Sequence, residues 1–221
     1  MNEIKLAVDS CVFTVKNDNL MILLIKRKKE PFADSYALPG GFVEDNEEIE
    51  DAVKRELLEE TNVSDIFLKQ LKTYGKIGRD PRGRVVSIAF LALIHSNREL
   101  VATSDAKAAE WHDIRTLPKL AFDHSKIIED ALSELRLEIQ TTNIACQILP
   151  EKFTLSSLQK LYELVLGKKL DKRNFRKKLK ELDILNETDE KYMDGAHRPA
   201  LLYQFKNKKF QSISDKIRVF L

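Results

Sequence analysis

The stretch TTNIACQILPEKFT, residues 141–154, constrains this chain most, because it lacks helical periodicity and carries Pro150 between two strongly patterned regions. Such a break predicts two domains, at residues 1–145 and 150–221. Charge divides at the same place. Residues 1–150 hold 20 Lys and Arg against 25 Asp and Glu, a net −5, whereas residues 151–221 hold 17 against 10, a net +7. The overall +2 conceals this asymmetry, which points to two parts with different partners. A basic face is more often simply solvated than bound to nucleic acid, so charge needs a second witness.

Several classes fall away early. No run approaches the ~18 consecutive apolar residues of a membrane span. The start, MNEIKLAVDS, carries Glu3 and Asp9 and has no apolar stretch leading to a small-residue cleavage site, so the expectation is a cytoplasmic protein without membrane partners. Cys11 and Cys146 are far apart and belong to no CxxC or Cys/His cluster, which argues against a disulfide scaffold or a structural zinc site. Both are expected as buried apolar fillers.

Within the first part, Ile4–Val15 and Leu20–Ile25 read as strands around the turn residues Asn17-Asp18-Asn19. After Pro39-Gly40-Gly41, residues Glu47–Glu60 lack Gly and Pro and place Ile49, Val53 and Leu57 at steps of four, which predicts a helix. Further strands are expected at Phe67–Ile77 and Val85–Ile94, joined by the loop GRDPRGR, and a short one around Trp111. A second helix is expected from Asp123 to about Glu138, with Asp123 or Ser125 as its cap. Strands mixed with few helices predict an α/β or α+β sandwich.

The chemistry concentrates between Gly41 and Val63. At about 100° per residue, Glu56, Glu59 and Glu60 share about 100° of one helix face. Three anions so close repel one another, and a face made only for solubility would intersperse Lys or Arg at i+4. A divalent cation relieves the repulsion, and hard carboxylate oxygens favour Mg²⁺ or Mn²⁺, which also bind substrate phosphates. Taken alone, a Glu-rich helix is usually just solvated.

The complete pattern is more specific. Gly41, five residues, Glu47, seven residues and then Arg55-Glu56-Leu57-Leu58-Glu59-Glu60-Thr61-Asn62-Val63 resembles the signature of the Nudix hydrolase family. The one departure is Asn62, where that family usually has Gly; a position after a helix end tends to be left-handed, and Asn is the next most tolerated residue there. The resemblance implies an α/β/α sandwich. It also implies that Glu56 and Glu60 are principal metal ligands, with Glu59 an additional ligand or water-binding group and the Gly40 carbonyl a further ligand. Arg55 would orient the glutamates and Glu47 would pair with Arg55. Asp105 and Glu110 are the candidates for a general base. Arg79, Arg82 and Arg84, in GRDPRGRVVSIAF, can grip phosphates or carboxylates bidentately, although a solvated hairpin tip reads the same way. That segment, ALPGGFV at Ala37–Val43 (with Gly41 as a ligand-contacting position) and LAFDH at Leu120–His124 resemble ADP-ribose pyrophosphatase-like members and Nudix-related transcriptional regulators. ADP-ribose is therefore the expected ligand.

In the second part, Thr154 is expected to cap a helix running to about Leu166, ended by Gly167. Asp171 would cap another, DKRNFRKKLKEL, in which Phe175, Leu179 and Leu182 form one apolar side. Burying that side forces Arg173, Arg176, Lys177 and Lys180 outward, where phosphates would meet them; Arg173, Asn174 and Lys177 could also reach base edges. Strand-like runs Ile184–Thr188 and Ala200–Phe205 flank a polar insert with His197 and Arg198, a wing that could touch the DNA backbone or minor groove. Two helices followed by a hairpin outline a winged helix-turn-helix.

Residues Phe153–Phe205, with FTLSSLQKLYE, LDKRNFRKKLKELDIL and HRPALLYQF, resemble the C-terminal domain of NrtR-type regulators. The resemblance implies a homodimer that reads a double-stranded DNA operator and senses ADP-ribose, controlling NAD or sugar metabolism genes. Many such regulators have degraded signatures, whereas this chain keeps Glu56, Glu59 and Glu60, so Mg-dependent ADP-ribose hydrolysis is expected to persist. The alternatives are a pyrophosphatase whose basic domain serves dimerisation, and a sugar-responsive regulator without hydrolysis.

Overall fold

The computed structural model describes residues 3–64, 66–96, 108–193 and 199–213. The candidates Asp105, His197 and Arg198 lie outside them. Strands β1 (Lys5–Lys16) and β2 (Asn19–Lys26) are joined by Asn17 and Asp18, with φ of 47° and 61°. Two successive left-handed residues give the turn whose twist suits a two-residue hairpin. Strands β3 (Tyr36–Ala37) and β4 (Gly40–Phe42) follow, then helix α1 (Ile49–Thr61). Next come β5 (Phe67–Tyr74), β6 (Val85–Leu93), β7 (Ala109–Asp113) and helix α2 (His124–Thr141).

These strands form one seven-stranded sheet among the described residues, with β3-β2-β1-β6-β5 as its main path. Strand β4 pairs with β1, and β7 with β2. At the centre, β1 runs parallel to β6 from Lys5↔Val85 to Phe13↔Leu93. Residues Ala7–Thr14 are buried without interruption, as a strand covered on both faces must be. Side chains alternate between those faces. Val8 and Val12 join Phe90 in a core with Ala52, Val53 and Leu57 of α1, while Asp9, facing the other way, meets His124 at the start of α2. Helices therefore cover opposite faces of the sheet, in an α/β/α sandwich.

Of the described residues, those within 1–14, 20–94 and 98–132 pack as one compact unit, and those within 15–19, 95–97 and 133–221 as a second. The second contains β8 (Phe153–Thr154), α3 (Leu155–Leu166), α4 (Lys172–Leu182), β9 (Leu185–Tyr192) and β10 (Ala200–Phe205). Its sheet has the order β8-β10-β9. Tyr162 and Phe175 lock α3 to α4 in an edge-to-face pair with centroids 5.3 Å apart. This is a winged helix.

The caps fall where the sequence places them. Thr154 Oγ1 accepts from Ser157 N at 3.0 Å and Ser157 Oγ accepts from Thr154 N at 3.0 Å, a reciprocal box at the start of α3. Gly167 ends that helix with φ 70°, and Asp171 Oδ1 accepts from Asn174 N at the start of α4. Thr154→Ala is expected to lower the stability of this unit by about 1 kcal/mol. Denaturant unfolding measures it, and an unchanged midpoint would show that the box contributes nothing.

Three local expectations differ from the structure. Strand β5 stops at Tyr74 instead of Ile77, which is 85% exposed. The break before Pro150 is not loose chain: Ile144–Gln147 make a 3-10 turn whose Ile144 and Ala145 are buried, a structure too short to need a 3.6-residue period. Cys11 is buried as expected, but Cys146 is only half-buried, with its sulfur 3.6 Å from Lys208 O. Beside it, Asn143 fastens the chain after β10, donating to Asn207 O and Lys209 O at 2.9 Å and accepting from Gln211 N at 2.8 Å. No helix among the described residues is long and apolar enough to cross a membrane.

Candidate functional site

Helix α1 is held by its apolar side, which leaves the glutamates toward the loop before it. Asn62 closes the helix in the left-handed conformation, φ 55°, and its N–H binds Leu58 O. Arg55 organises the acids. Its Nε and Nη2 grip Glu47 Oε1 and Oε2 at 2.8 and 3.0 Å, Nη2 also donates to Phe42 O at 3.1 Å, and Nη1 donates to Glu56 Oε1 at 2.9 Å. A longer contact reaches Glu59 Oε2 at 3.4 Å. The fork of one guanidinium thus fixes Glu47, Glu56 and the β4 backbone together.

Glycine is required at Gly40, pressed on the β1 backbone, whereas at Gly41 a larger residue would have to displace the Glu56 carboxylate. A Cβ on Gly41 would stand 2.1 Å from Glu56 Oε1, and one on Gly40, whose φ is 153°, would stand 2.1 Å from Val8 O. Gly40 N donates to Glu60 Oε2 at 2.9 Å. Burial pushes the Glu60 carboxyl up to about 8; the Gly40 N–H opposes that rise, and Glu56 and Asp9 add to it. Burial likewise raises Glu56, against the lowering effect of Arg55. Glu56 is 14% exposed and Glu59 48%, so Glu56 and Glu60 form the inner pair and Glu59 the rim.

As oriented, the carboxylates point at Arg55 and Gly40 N, and no group of three or more His, Cys, Asp or Glu among the described residues is gathered as a metal shell. The donor chemistry nevertheless suits a hard divalent cation. Two half-buried carboxyls whose charged forms are disfavoured sit beside a glycine carbonyl, and a cation would offset both their desolvation and their repulsion.

A cleft of about 420 Å³ is lined by Glu56, Glu59 and Glu60 together with Arg27, Lys28 and Arg82. Arg27 and Arg82 also line an adjoining hollow containing Gly41, Arg79, Phe122 and His124. A lining that combines carboxylates with guanidiniums suits an anion carried with a divalent cation. Arg82 lies over the rings of Phe42 and Phe122, at 5.0 and 5.5 Å, and chelates Asp80. Arg79 is buried and gripped by Asp123, with Nη2 to Oδ1 at 2.6 Å. Arg84 lines neither space, and its Nη1 donates to Gly75 O at 2.6 Å. Glu110 lines neither as well, accepting from Tyr36 OH at 3.0 Å.

Sequence reasoning missed Arg27, Phe122 and Asp9. Asp9 had left a signal, an acid inside an apolar strand; Phe122, left-handed at φ 52°, had none beyond its place in LAFDH.

On α4, Phe175 and Leu179 are buried and Leu182 is half-buried, while Arg173, Asn174, Arg176, Lys177 and Lys180 are exposed. The Lys177–Glu181 contact, 3.9 Å between exposed groups, ties down little of that charge. The result is a cationic surface on a short rigid helix.

Comparison with known proteins finds two family models on the chain, the NUDIX domain over residues 5–131 and the NrtR DNA-binding winged helix domain over residues 145–205. The ADPR responsive transcriptional repressor NtrR of Acinetobacter baylyi is 35% identical over 204 residues, 90% of this chain and 81% of that one. The ADP-ribose pyrophosphatase of Methanocaldococcus jannaschii is 52% identical over 116 residues, 52% of this chain and 68% of that protein. Among solved structures, Shewanella oneidensis NrtR complexed with a 27mer DNA superposes with TM-score 0.79 at 34% identity, covering 91% of this chain and 93% of that one.

Proposed function

Because this chain belongs to the Nudix family, in its NrtR branch with a C-terminal winged helix domain, we propose that it is an ADP-ribose-responsive DNA-binding transcriptional regulator that also hydrolyses its effector. The observation that carries this reading is the pairing, on one chain, of a glycine-moulded acid pair, Glu56 and Glu60, with the exposed basic face of α4. A regulator that only sensed its ligand would have no need to keep half-buried, mutually repelling acids beside Gly40 and Gly41.

Hydrolysis in this family uses a divalent cation, and Mg²⁺ or Mn²⁺ fits the oxygen donors here. Glu56, Glu60 and the Gly40 carbonyl would hold it, with Glu59 at the rim. The bound cation supplies charge neutralisation for the diphosphate and lowers the pKa of water. Arg55, itself gripped by Glu47, keeps Glu56 in place. Arg27 and Arg82 face the phosphates, and Phe42 and Phe122 flank the Arg82 guanidinium. Water attacks phosphorus, a P–O bond of the diphosphate breaks, and ADP-ribose yields AMP and ribose 5-phosphate.

Residues 150–221 would read the operator, with Arg176 and Lys180 on phosphates and Arg173, Asn174 and Lys177 toward base edges. Two copies bound as a homodimer would place two recognition helices about one DNA turn apart on a near-palindromic site. DNA as partner puts the protein in the cytoplasm. The test is a joint one: AMP release from ADP-ribose with Mg²⁺, and retention of promoter DNA with and without ADP-ribose. Both activities support the reading; hydrolysis without DNA binding would leave a pyrophosphatase whose basic unit has another use.

Gly41→Ala should disable the first activity alone. The new Cβ expels the Glu56 carboxylate, so AMP release should fall at least about tenfold, as when a supporting contact of a metal site is lost, with DNA retention unchanged. Wild-type turnover in this variant would show that Glu56 works from some other position.

A further inference from the structure

Behind the acid pair lies a polar group that no step above uses. Asp9, 7% exposed on β1, accepts from Ser87 Oγ and from Arg79 Nη2, and its Oδ1 is 3.4 Å from His124 Nε2. On the opposite side of that ring, Nδ1 lies 2.9 Å from the backbone N of Leu38. A backbone N–H can only donate, so Nδ1 accepts and carries no proton. The neutral ring therefore keeps its single proton on Nε2, aimed at Asp9. Burial disfavours the charged imidazolium, in agreement with this state.

Leu38 opens the segment Leu38-Pro39-Gly40-Gly41, which is fixed at every step. His124 holds Leu38 N, Ser10 N donates to Pro39 O at 2.8 Å, and Gly40 N donates to Glu60 Oε2. Gly40 is pressed against β1 with no space for a side chain. Leu38 N, Pro39 O and Gly40 N are thus each tied to a neighbour, so a displacement of Leu38 is passed along the segment toward the Gly40 carbonyl and its Glu60 contact.

We propose that Asp9 and His124 are positioning residues for the metal-holding segment: Asp9 fixes the tautomer and orientation of His124, and His124, through Leu38 N, sets where the Gly40 carbonyl and Glu60 stand. The inference rests on the reading of Glu56, Glu60 and Gly40 as the holding set. Groups of this kind, one hydrogen bond removed from a ligand, typically govern metal affinity by about ten- to a hundredfold. Through Arg79 the same acid also fixes a residue that lines the adjoining hollow.

Three full-length variants separate positioning from space-filling. In His124→Asn the amide oxygen stands near the Nδ1 position and still accepts from Leu38 N. His124→Gln offers an N–H to Asp9 but leaves Leu38 N without its acceptor, and His124→Phe fills the space with neither bond. Mn²⁺ affinity is read by water proton relaxation, and kcat and KM on ADP-ribose are measured alongside. The Gln and Phe variants should bind Mn²⁺ at least about tenfold more weakly and lose kcat far more than KM changes, while Asn stays within about threefold of wild type. Equal Mn²⁺ affinity in all three, or an Asn variant no better than Phe, overturns the proposal. If a His124 variant fails to fold, the nearly isosteric Asp9→Asn decides. Its amide can turn an N–H toward Nε2 and drive the proton to Nδ1, which nitrogen-15 spectra of the imidazole report; an unmoved proton with unchanged Mn²⁺ affinity overturns the role of Asp9. Failure of the underlying reading looks different, because Glu60→Gln would then bind Mn²⁺ as wild type does.

Discussion

Glu56→Gln lowers ADP-ribose hydrolysis at least about a hundredfold and leaves operator affinity intact. Charge neutralisation by a bound cation supplies several kcal/mol to phosphoryl chemistry, and each ~1.36 kcal/mol is a factor of ten in rate. Gln preserves the shape of a side chain only 14% exposed and pressed on Gly41, and its amide oxygen can still accept from Arg55. What it loses is charge. Fold and DNA reading therefore persist while the holding set falls short by one anion. AMP production under saturating Mg²⁺, beside operator titration with the same preparation, reads both halves. Turnover equal to wild type would remove Glu56 from the metal site.

Arg176→Ala weakens DNA binding across all sequences and flattens its dependence on salt. Arg176 is exposed on α4, away from the buried Phe175 and Leu179, so truncation costs little stability. Each phosphate neutralised contributes about 0.9 to the slope of log affinity against log salt. One lost contact on each protomer of a dimer removes about 1.8 from that slope. Affinity for an operator and for unrelated DNA should fall together, since a phosphate contact carries no sequence information. Loss confined to the operator would move Arg176 to a base edge, and an unchanged slope would take it off the DNA.

Local chemistry made much of this legible before any coordinates. Caps are written within three residues of the helix they start, which is why Thr154 and Asp171 stand where expected. Asn62 follows because its position after α1 needs a left-handed residue whatever the rest of the chain does. The pairing of Glu47 with Arg55, in contrast, came from the family resemblance and not from local chemistry, and the structure shows it as a two-pronged contact.

Long-range contacts were not legible, and they reshape the site. Arg79 read as a guanidinium for a ligand's phosphates or carboxylates, yet Asp123, 44 residues away, holds it bidentately and Asp9, 70 residues away, completes the grip. Arg84 braces Gly75 through a backbone carbonyl, a partner with no sequence signature. Arg27 lay unmarked in the run Lys26–Lys29; all four cations line the cleft, and only the folded chain shows that Arg27 among them also lines the adjoining hollow. Strand β8, two residues long, has no periodicity to detect and exists because β10 supplies its hydrogen bonds.

Sensing and hydrolysis are assigned here to a single groove, and one time course addresses that directly. Fluorescence anisotropy of labelled operator DNA, bound by the wild-type protein in Mg²⁺, is followed after a single limiting addition of ADP-ribose while AMP is sampled in parallel. With one shared groove, the signal falls at once and climbs back as AMP accumulates, and with Glu56→Gln it falls and stays low. A wild-type signal that never responds, or that stays low after the ADP-ribose has been consumed, would contradict a shared groove.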